Sequence, residues 1–319
     1  MRRRSVLGSR GGPRSSRIRD RSASSVALDV FVHASIALLL VVTLYPVLYI
    51  ASVSLSGGLA ILRNEVTFYP KGLTFNAYGI IFSTPRIPIA FKNSVLYTAL
   101  GTAINLVLTI ATAYPLSKKR LTLRGFYMAL VVVTMFFSGG LIPTFLVVRA
   151  LGMYNSIWAL VIPGAISVWN LIVLRTFFQA QPVELEESAY LDGAGDLRIL
   201  WSVVLPVSKA AIATIALFYL VEHWNSWFPA VIYLKEGRRY PLQVILREIV
   251  IEGQFTEELV QKGMMAEAGS KEIAGPDAYV SVEKLKYATL FTARIPMLLV
   301  YPFIQRYFVK GVMIGSLKG

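Results

Sequence analysis

The sequence predicts an all-α, polytopic membrane protein with six transmembrane helices, and its composition supports that fold class. Apolar residues make up 55% of the 319 residues and charged residues only 16%, whereas a soluble domain is about 25% charged. Lys and Arg number 32 against 18 Asp and Glu, which gives a net charge of +14. A chain that is both apolar and basic is typical of a membrane protein whose Lys and Arg residues are concentrated on one side of the bilayer.

A transmembrane helix needs about 20 mainly apolar residues, and six segments meet that requirement. They lie at about 26–49, 93–116, 125–148, 157–176, from 210 onward, and 287–309. Prolines fall near the ends of these segments or inside them: Pro46, Pro115, Pro143 and Pro163. Neighbouring helices can satisfy the carbonyl groups that a proline frees in a bilayer, so these prolines do not exclude spanning helices.

The short loops orient these six segments. With the N-terminus inside, the Arg-rich N-terminal segment, the basic loop 118–124 and the C-terminal lysines all lie on the cytoplasmic side. Because Lys and Arg are enriched in cytoplasmic loops, we expect both termini in the cytoplasm and the chain in the inner, or plasma, membrane.

Residues 1–25 are rich in Arg, Ser and Gly and lack apolar periodicity. We expect a disordered basic cytoplasmic tail there, held near anionic headgroups, ahead of a transmembrane domain at 26–319. The tail also resembles a mitochondrial presequence or the basic region of a signal peptide. However, the apolar stretch after it exceeds a signal core of about 7–15 residues. No aromatic residue is interleaved with the arginines, so nucleic-acid binding is not expected.

The composition also excludes several kinds of catalysis. There are no cysteines, which excludes disulfide scaffolds and thiolate metal sites, and the histidines are only His33 and His223. The phosphate-binding pattern GxxxxGK[ST] is absent. We therefore expect no catalytic residue, metal or cofactor in this chain, and any ATP hydrolysis must belong to another chain.

A polar stretch at about 179–208 separates the fourth and fifth segments, on the predicted inner side. Pro182 opens it, and glutamates such as Glu184 and Glu186 follow in the first turns, where carboxylates suit the helix dipole. Gly193 is placed to end that helix, and an apolar helix resumes at 197–204. We expect a helix, a glycine turn and a second helix on the cytoplasmic surface.

Five residues of this stretch have the spacing of a known signature loop: Glu187, Ala189, Gly193, Leu205 and Pro206. The stretch resembles the cytoplasmic loop of binding-protein-dependent ABC importer permeases. Ser188 and Val203 stand where many members have Ala and Ile, and both replacements conserve size. The C-terminus at 301–319 and the runs 136–164 and 223–234 are similar to maltose-type sugar permeases, so the resemblance covers about 26–319.

The resemblance implies a type I ABC importer permease fold and a set of partners. These are a second homologous permease, two ATPase subunits that carry ATP and Mg²⁺, an extracytoplasmic solute-binding protein and a sugar, most simply an oligosaccharide. The loop from Glu187 to Pro206 would dock on an ATPase subunit and transmit its closure to the spanning helices. In that role Glu187 and Asp192 can pair with basic groups of the partner, and Ala189 and Gly193 allow close approach.

A transporter or channel that works by itself on an ion gradient is the alternative from another class. It predicts carboxylates inside the membrane and broken helices. Glu222, in the fifth segment, is the acidic residue that we assign to such a role under this alternative.

The fifth segment carries polar and aromatic residues suited to a sugar: Glu222, His223, Trp224, Asn225 and Trp227. Aromatic faces can stack on the C–H face of a sugar while polar groups bind its hydroxyls. Alternatively, the two tryptophans belong to the interfacial aromatic belt and the polar groups pack against neighbouring helices.

Arg294 lies inside the sixth segment, where a lone cation costs at least about 2.5 kcal/mol on insertion scales. Glu222 is expected at a similar depth. The two could form an ion pair or contact an acidic sugar together, or Arg294 could extend toward the outer surface.

The long outer loop at about 235–283 contains an apolar pattern at 242–251, for which we expect a short surface helix. The remainder is expected to be mobile, and either contacts the solute-binding protein or is only solvated.

Overall fold

The computed structural model describes residues 23–252 and 282–316, and within those ranges it contains helices and no β-strand. The helices, numbered in chain order, are α1 (Ala23–Leu55), α2 (Gly58–Leu62), α3 (Asn76–Ser83), α4 (Arg86–Ser117), α5 (Arg124–Phe136), α6 (Leu141–Ala150), α7 (Trp158–Val161), α8 (Val168–Gln179), α9 (Val183–Leu191), α10 (Asp196–Val207), α11 (Lys209–Asn225), α12 (Phe228–Tyr233), α13 (Leu242–Arg247) and α14 (Val282–Ser316). A π-helical stretch, Leu200–Val204, lies inside α10, and another, Glu248–Glu252, extends α13.

Two compact units make up the chain, residues 1–49 and residues 50–319. The described part of the first unit is helical and belongs to α1. Its large apolar side chains are exposed, with Phe31 at 69% and Leu38 at 65%. An apolar helix with this much exposed surface is suited to a lipid environment. Most of the predicted basic tail lies outside the described residues.

Within the described ranges, two helices could cross a membrane by length and composition alone, namely α4 and the part of α1 from Ser25 to Leu55. The number is four if two bent pairs each count as one span. In these pairs α5 and α6 meet at 115°, and α10 and α11 meet at 85°. The predicted third span is therefore not one straight helix. It breaks at Gly139 and Gly140. Gly140 has a φ of +81°, a backbone conformation that glycine adopts far more readily than other residues.

The predicted fourth span, 157–176, is also divided. It contains the single turn α7 and then α8, with Pro163 and Gly164 between them. Proline removes a donor from the helix, and glycine weakens it, so the local sequence accounts for the break.

In the second unit, α4 is the central helix, and it packs against α8 and α11. One apolar cluster joins the C-terminal half of α4 to α8, α10 and α11, with Leu174, Ile199 and Ile215 fully buried in it. A second joins the N-terminal half of α4 to α3, α13 and α14. The polar segment 179–208 therefore packs near the C-terminal end of α4, and the helices that line the cavities described below pack along the same helix.

The helix predicted at 242–251 is present, but it is not on the surface. Leu242 and Ile245 are completely buried, and Leu246 and Ile249 are nearly so. The helix lies in the same cluster as residues of α4 and α14. Its apolar residues cover more than one helical face, and a helix of that kind is buried.

Candidate functional site

The predicted helix, glycine turn and helix are present in the segment between α8 and α11. The turn after α9 closes through two backbone hydrogen bonds. The N–H of Ala194 donates to the carbonyl of Ala189, and the N–H of Gly193 to that of Tyr190, each at 3.0 Å. With Gly193 at a φ of +78°, these bonds form a Schellman motif. The signature glycine is thus required by the backbone conformation of the turn.

Around this turn, α9 and α10 present an exposed surface. Glu187 and Asp192 are exposed, and neither forms an ion pair within the described part of the chain. Leu191 is 89% exposed and Leu197 74% exposed, and they add apolar area to this surface. Two free carboxylates beside two exposed leucines provide a surface suited to a protein partner.

Two other acidic residues of the segment, Glu186 and Asp196, are bound within the chain by a group that we call the clamp: Lys118, Arg120 and Tyr190. Lys118 Nζ pairs with Glu186 Oε1, and these side chains are only 15% and 14% exposed. Arg120 pairs with the Asp196 carboxylate and donates to the Tyr190 hydroxyl. The clamp therefore ties both helices of the segment to the loop that follows α4.

Within the clamp, the guanidinium of Arg120 lies 4.7 Å from the centre of the Tyr190 ring, a cation–π distance. The Tyr190 hydroxyl donates to Asp196 Oδ1. Burial, followed by this hydrogen bond, raises the pKa of the Tyr190 hydroxyl above its usual value. Tyr190 therefore keeps its proton at neutral pH and remains a donor to Asp196.

The end of α4 is fixed by side chains of α8. Arg175 Nε donates to the Leu116 carbonyl at 3.0 Å, and Gln179 Nε2 to the Ser117 carbonyl at 3.3 Å. These bonds satisfy carbonyl groups that the last turn of a helix leaves unpaired.

The remaining two signature residues lie at the end of α10, before its 85° bend into α11. Leu205 is half-buried and packs on the apolar cluster of α4 and α8, whereas Pro206 is exposed. Next to them Ser208 is completely buried, and its hydroxyl accepts a hydrogen bond from Gln181 Nε2 at 2.5 Å. The bend is thereby tied to the residue just before Pro182, at the start of α9.

A cavity of about 450 Å³ lies where three helix breaks meet, and we call it the break cavity. Its walls include residues from the break between α5 and α6, from the break between α7 and α8, and from the break between α11 and α12. The polar residues among them are Ser138, Thr144, Glu222, His223 and Ser226. Irregular backbone at membrane depth is tolerated where it is buried in protein or lines an aqueous cavity. The polar side chains on its wall therefore give the break cavity groups that can form hydrogen bonds with a polar molecule.

His223 connects this cavity to α4. Its Nε2 lies 3.0 Å from Asn105 Nδ2, and a Cβ placed on Gly101 would lie 2.5 Å from the same nitrogen. Because Gly101 has no side chain, the imidazole can lie directly against the backbone of α4. Asn105 is 99% buried, and its Oδ1 has no hydrogen-bond partner among the residues that the structure describes.

Trp224 and Asn225 line neither the break cavity nor the one described next. Trp224 is buried, its Nε1 donates to the Ala293 carbonyl of α14 at 3.2 Å, and its ring meets Phe91 edge-on. Asn225 donates to the carbonyl of Val221. Trp224 therefore packs between α11 and α14 and joins the two helices.

A second cavity, of about 300 Å³, contains Trp227 and Arg294, and we call it the arginine cavity. Arg247 and Gln243 of α13 also line it. It shares no lining residue with the break cavity, where Glu222 lies. No Glu222–Arg294 ion pair is present among the described contacts. The face of α11 that carries Trp224 packs against α14, the helix of Arg294, whereas Glu222 lies on another face of α11.

Sequence reasoning did not single out Lys118, Arg120 or Arg247 as site residues. The first two carried a usable signal, since a basic loop after one predicted span faces an acidic loop after another. Arg247 carried none, because its proximity to Trp227 and Arg294 arises from tertiary packing. No cluster of metal-binding side chains occurs in residues 23–252 or 282–316.

Comparison with known proteins identifies the family. Residues 79–313 match the family described as binding-protein-dependent transport system inner membrane component. The chain is 39% identical over 281 residues to Protein LplC of Bacillus subtilis (strain 168), covering 87% of this chain and 90% of that protein. It is 40% identical over 291 residues to the polygalacturonan/rhamnogalacturonan transport system permease protein YtcP of the same organism, covering 91% and 98%.

A solved structure agrees with these relatives. A chain from the crystal structure of a bacterial ABC transporter involved in the import of the acidic polysaccharide alginate superposes with a TM-score of 0.80. It is 31% identical, and the match covers 90% of this chain and 98% of that one. The fold and the sequence therefore lead to one conclusion: the chain belongs to the inner-membrane components of binding-protein-dependent ABC transport systems.

Proposed function

We propose that this chain forms half of the transmembrane pathway of an ATP-driven importer, and that the segment from Glu187 to Pro206 couples it to an ATPase subunit. Membership of the family makes the chain a multi-pass transport subunit of the membrane, with ATP hydrolysis on a separate chain. The family also decides against a self-sufficient secondary transporter. Broken helices are present, as that alternative predicted, so they do not distinguish the two functions.

Partners and topology follow from the same proposal. A second permease, two ATPase subunits with ATP and Mg²⁺, and an extracytoplasmic binding protein complete the importer. The bent pairs, α7 with α8, and α14 would supply the remaining spans of a six-span chain with both termini in the cytoplasm. The basic tail at 1–25, expected in the cytoplasm, and the outer segment at 235–283 stay predictions about the two sides of the proposed domain at 26–319.

The single observation that carries the coupling role is the difference between the bound and free acids of the segment. The clamp binds Glu186 and Asp196 to the loop after α4, while Glu187 and Asp192, both on the α9 side of the turn at Gly193, are exposed and form no ion pair within the described residues. Carboxylates held ready beside exposed leucines suit a basic and apolar groove on a partner.

The proposed cargo is an oligosaccharide. One relative is a polygalacturonan/rhamnogalacturonan permease, and the similar solved structure belongs to a transporter involved in alginate import; all three substrates are polysaccharides. In support, the break cavity is large enough for a small sugar and carries hydroxyl, imidazole and carboxylate groups.

Reconstitution tests the proposal. The chain, its partner permease and its ATPase are purified together, placed in liposomes, and assayed for ATP-driven sugar uptake in the presence of the binding protein. Glu187→Lys should abolish co-purification of the ATPase, because it reverses a charge on the docking surface. Glu65→Lys is the matched control, since Glu65 makes only an exposed contact with Arg63 at 3.9 Å. Sugar uptake by the chain alone, without ATP, would contradict the proposed function.

A further inference from the structure

The imidazole of His223 lies between α4 and the break cavity. A Cβ built on Gly101 would lie 2.5, 2.6 and 2.8 Å from Nε2, Cε1 and Cδ2, so this edge of the ring faces α4. Nδ1 lies on the other edge, and His223 also lines the break cavity. Within the described residues, the ring forms one hydrogen bond, between Nε2 and Asn105 Nδ2 at 3.0 Å. Nδ1 is therefore open to a ligand in the cavity.

Asn105 determines which ring nitrogen of His223 carries the proton. Its Nδ2 belongs to an amide NH₂ group, which donates hydrogen bonds and does not accept them. Nε2 of His223 must therefore accept with its lone pair, and the proton of the neutral imidazole lies on Nδ1. Asn105 is only 1% exposed, so water does not compete for this bond. The hydrogen bond on the α4 side thus makes Nδ1 a donor on the cavity side.

The burial of Asn105 needs a reason other than stability. Its Oδ1 has no partner in the part of the chain that the structure describes. A buried polar atom left unpaired lowers the stability of a fold, and a leucine of similar size would avoid that cost. An amide at this position suits a residue that fixes the orientation of a functional neighbour.

The break cavity supplies an acceptor beside this donor. Glu222 precedes His223 in the chain and lines the same cavity, and it forms no ion pair within the described residues. Apolar side chains such as Leu160 and Ile232 form other parts of the wall. A sugar hydroxyl can accept one hydrogen bond and donate another, and the C–H faces of the ring can pack on apolar groups. A donor and an acceptor set in an apolar wall therefore match a hydroxyl-bearing sugar ring.

We propose that Asn105 is a positioning residue for substrate recognition. It holds His223 with the proton on Nδ1, so that Nδ1–H donates to a hydroxyl of a sugar ring in the break cavity. Glu222 accepts a hydrogen bond from a hydroxyl of the same ring. The substrate class is an oligosaccharide that is recognised through its hydroxyl groups. The contact with sugar rests on the proposed function, whereas the position of the proton does not.

Solid-state nitrogen NMR tests the position of the proton, because protonated and unprotonated ring nitrogens have well-separated chemical shifts. The complex of permease and ATPase subunits is labelled at the histidine ring nitrogens and reconstituted in liposomes. Subtracting the spectrum of the His223→Gln complex removes His33, the other histidine of the chain, and the histidines of the other subunits. The wild type should show a protonated Nδ1 and an unprotonated Nε2. Asn105→Asp should place a proton on Nε2, because a carboxylate accepts hydrogen bonds and does not donate them.

The same samples test the contact with sugar. The probe is trigalacturonate, a fragment of the polymer named for one relative, and it should shift the Nδ1 signal of the wild type. The trimer concentration at half of this shift should rise several-fold in Glu222→Ala, which removes the acceptor. Asn170→Asp alters another buried asparagine that lines neither cavity, and it should leave both ring signals and this concentration unchanged.

Two results would overturn the inference. The first is a proton on Nε2 and none on Nδ1 in the wild type, which decides the matter even where Asn105→Asp does not assemble. The second is an Nδ1 signal that trigalacturonate does not move while ATP-driven uptake of that trimer is measured, and the proposed function would then stand without this contact. The expected proton position without any uptake would support the role of Asn105 and count against the proposed function.

Discussion

The hydroxyl of Tyr219 on α11 lies 2.6 Å from the hydroxyl of Thr109 on α4 and accepts a hydrogen bond from the backbone N–H of Ser167 at 3.0 Å. One buried oxygen therefore joins α11, α4 and the start of α8. Tyr219 and Thr109 are both completely buried, so water cannot replace either bond.

Replacing this tyrosine should loosen the junction of the three helices. Tyr219→Phe leaves the Ser167 N–H and the Thr109 hydroxyl without their partner, which should cost about 1 kcal/mol or more of stability. The measurement is the thermal inactivation temperature of the purified complex in detergent. Tyr301→Phe, at a side chain 57% exposed, is the control and should leave that temperature unchanged.

The turn after α9 offers a comparison between two glycines two positions apart. Gly193→Ala should cost about 1 kcal/mol through its left-handed backbone and should weaken ATPase binding, because the turn would distort. Gly195→Ala should be almost neutral, since Gly195 has a φ of −78° and open space around its Cα.

Co-purified ATPase per permease measures both glycine variants. Gly193→Asn should recover part of the binding, because asparagine tolerates the left-handed region. Identical behaviour of the two alanine variants would show that the turn conformation is irrelevant to docking.

The clamp should contribute to energy coupling as well as to folding. Lys118→Glu places two carboxylates at the partly buried position of the Lys118–Glu186 pair, so sugar uptake per ATP hydrolysed should fall several-fold. Combining it with Glu186→Lys restores opposite charges and should restore most of the ratio. A double variant no better than the single one would argue against a direct pair.

The contact between Gly101 and His223 predicts a coupled pair of substitutions. Gly101→Ala would place a methyl group 2.5 Å from the imidazole, and overpacking of this kind costs about 1–3 kcal/mol. In a His223→Ala background the clash is absent and the same change should be nearly free. Thermal inactivation of the four proteins in this cycle gives the coupling.

Gly79→Ala controls for the general cost of altering a helical glycine, because nothing lies within 4 Å of a Cβ there. If Gly101→Ala cost the same in both backgrounds, the two residues would not be in contact.

Local features of this protein were predictable from sequence, and features that depend on packing were not. The turn at Gly193 was predictable because its hydrogen bonds join residues at most five apart, as between Ala189 and Ala194. The motif that first indicated the family lies in the same segment, and comparison with known proteins confirms the family.

The roles of the fifth segment could not be read from its composition. Glu222 and Trp224 are two residues apart, and the helical twist directs them to different neighbours, the break cavity and α14. Residues far away in sequence, such as Ala293, decide which face of α11 packs against α14 and which lines the break cavity. The predicted roles of Glu222 and His223 in the substrate path stay predictions.

The backbone closure of the turn at Gly193 has a consequence for how such importers diversify. Its two hydrogen bonds involve no side chain, so Leu191 and Asp192 can be exchanged without reshaping the surface that carries them. Under the proposed coupling role, changing these two residues would change the ATPase partner while the docking angle is preserved. Loop geometry and partner identity are thus separately evolvable traits in a stretch only a few residues long.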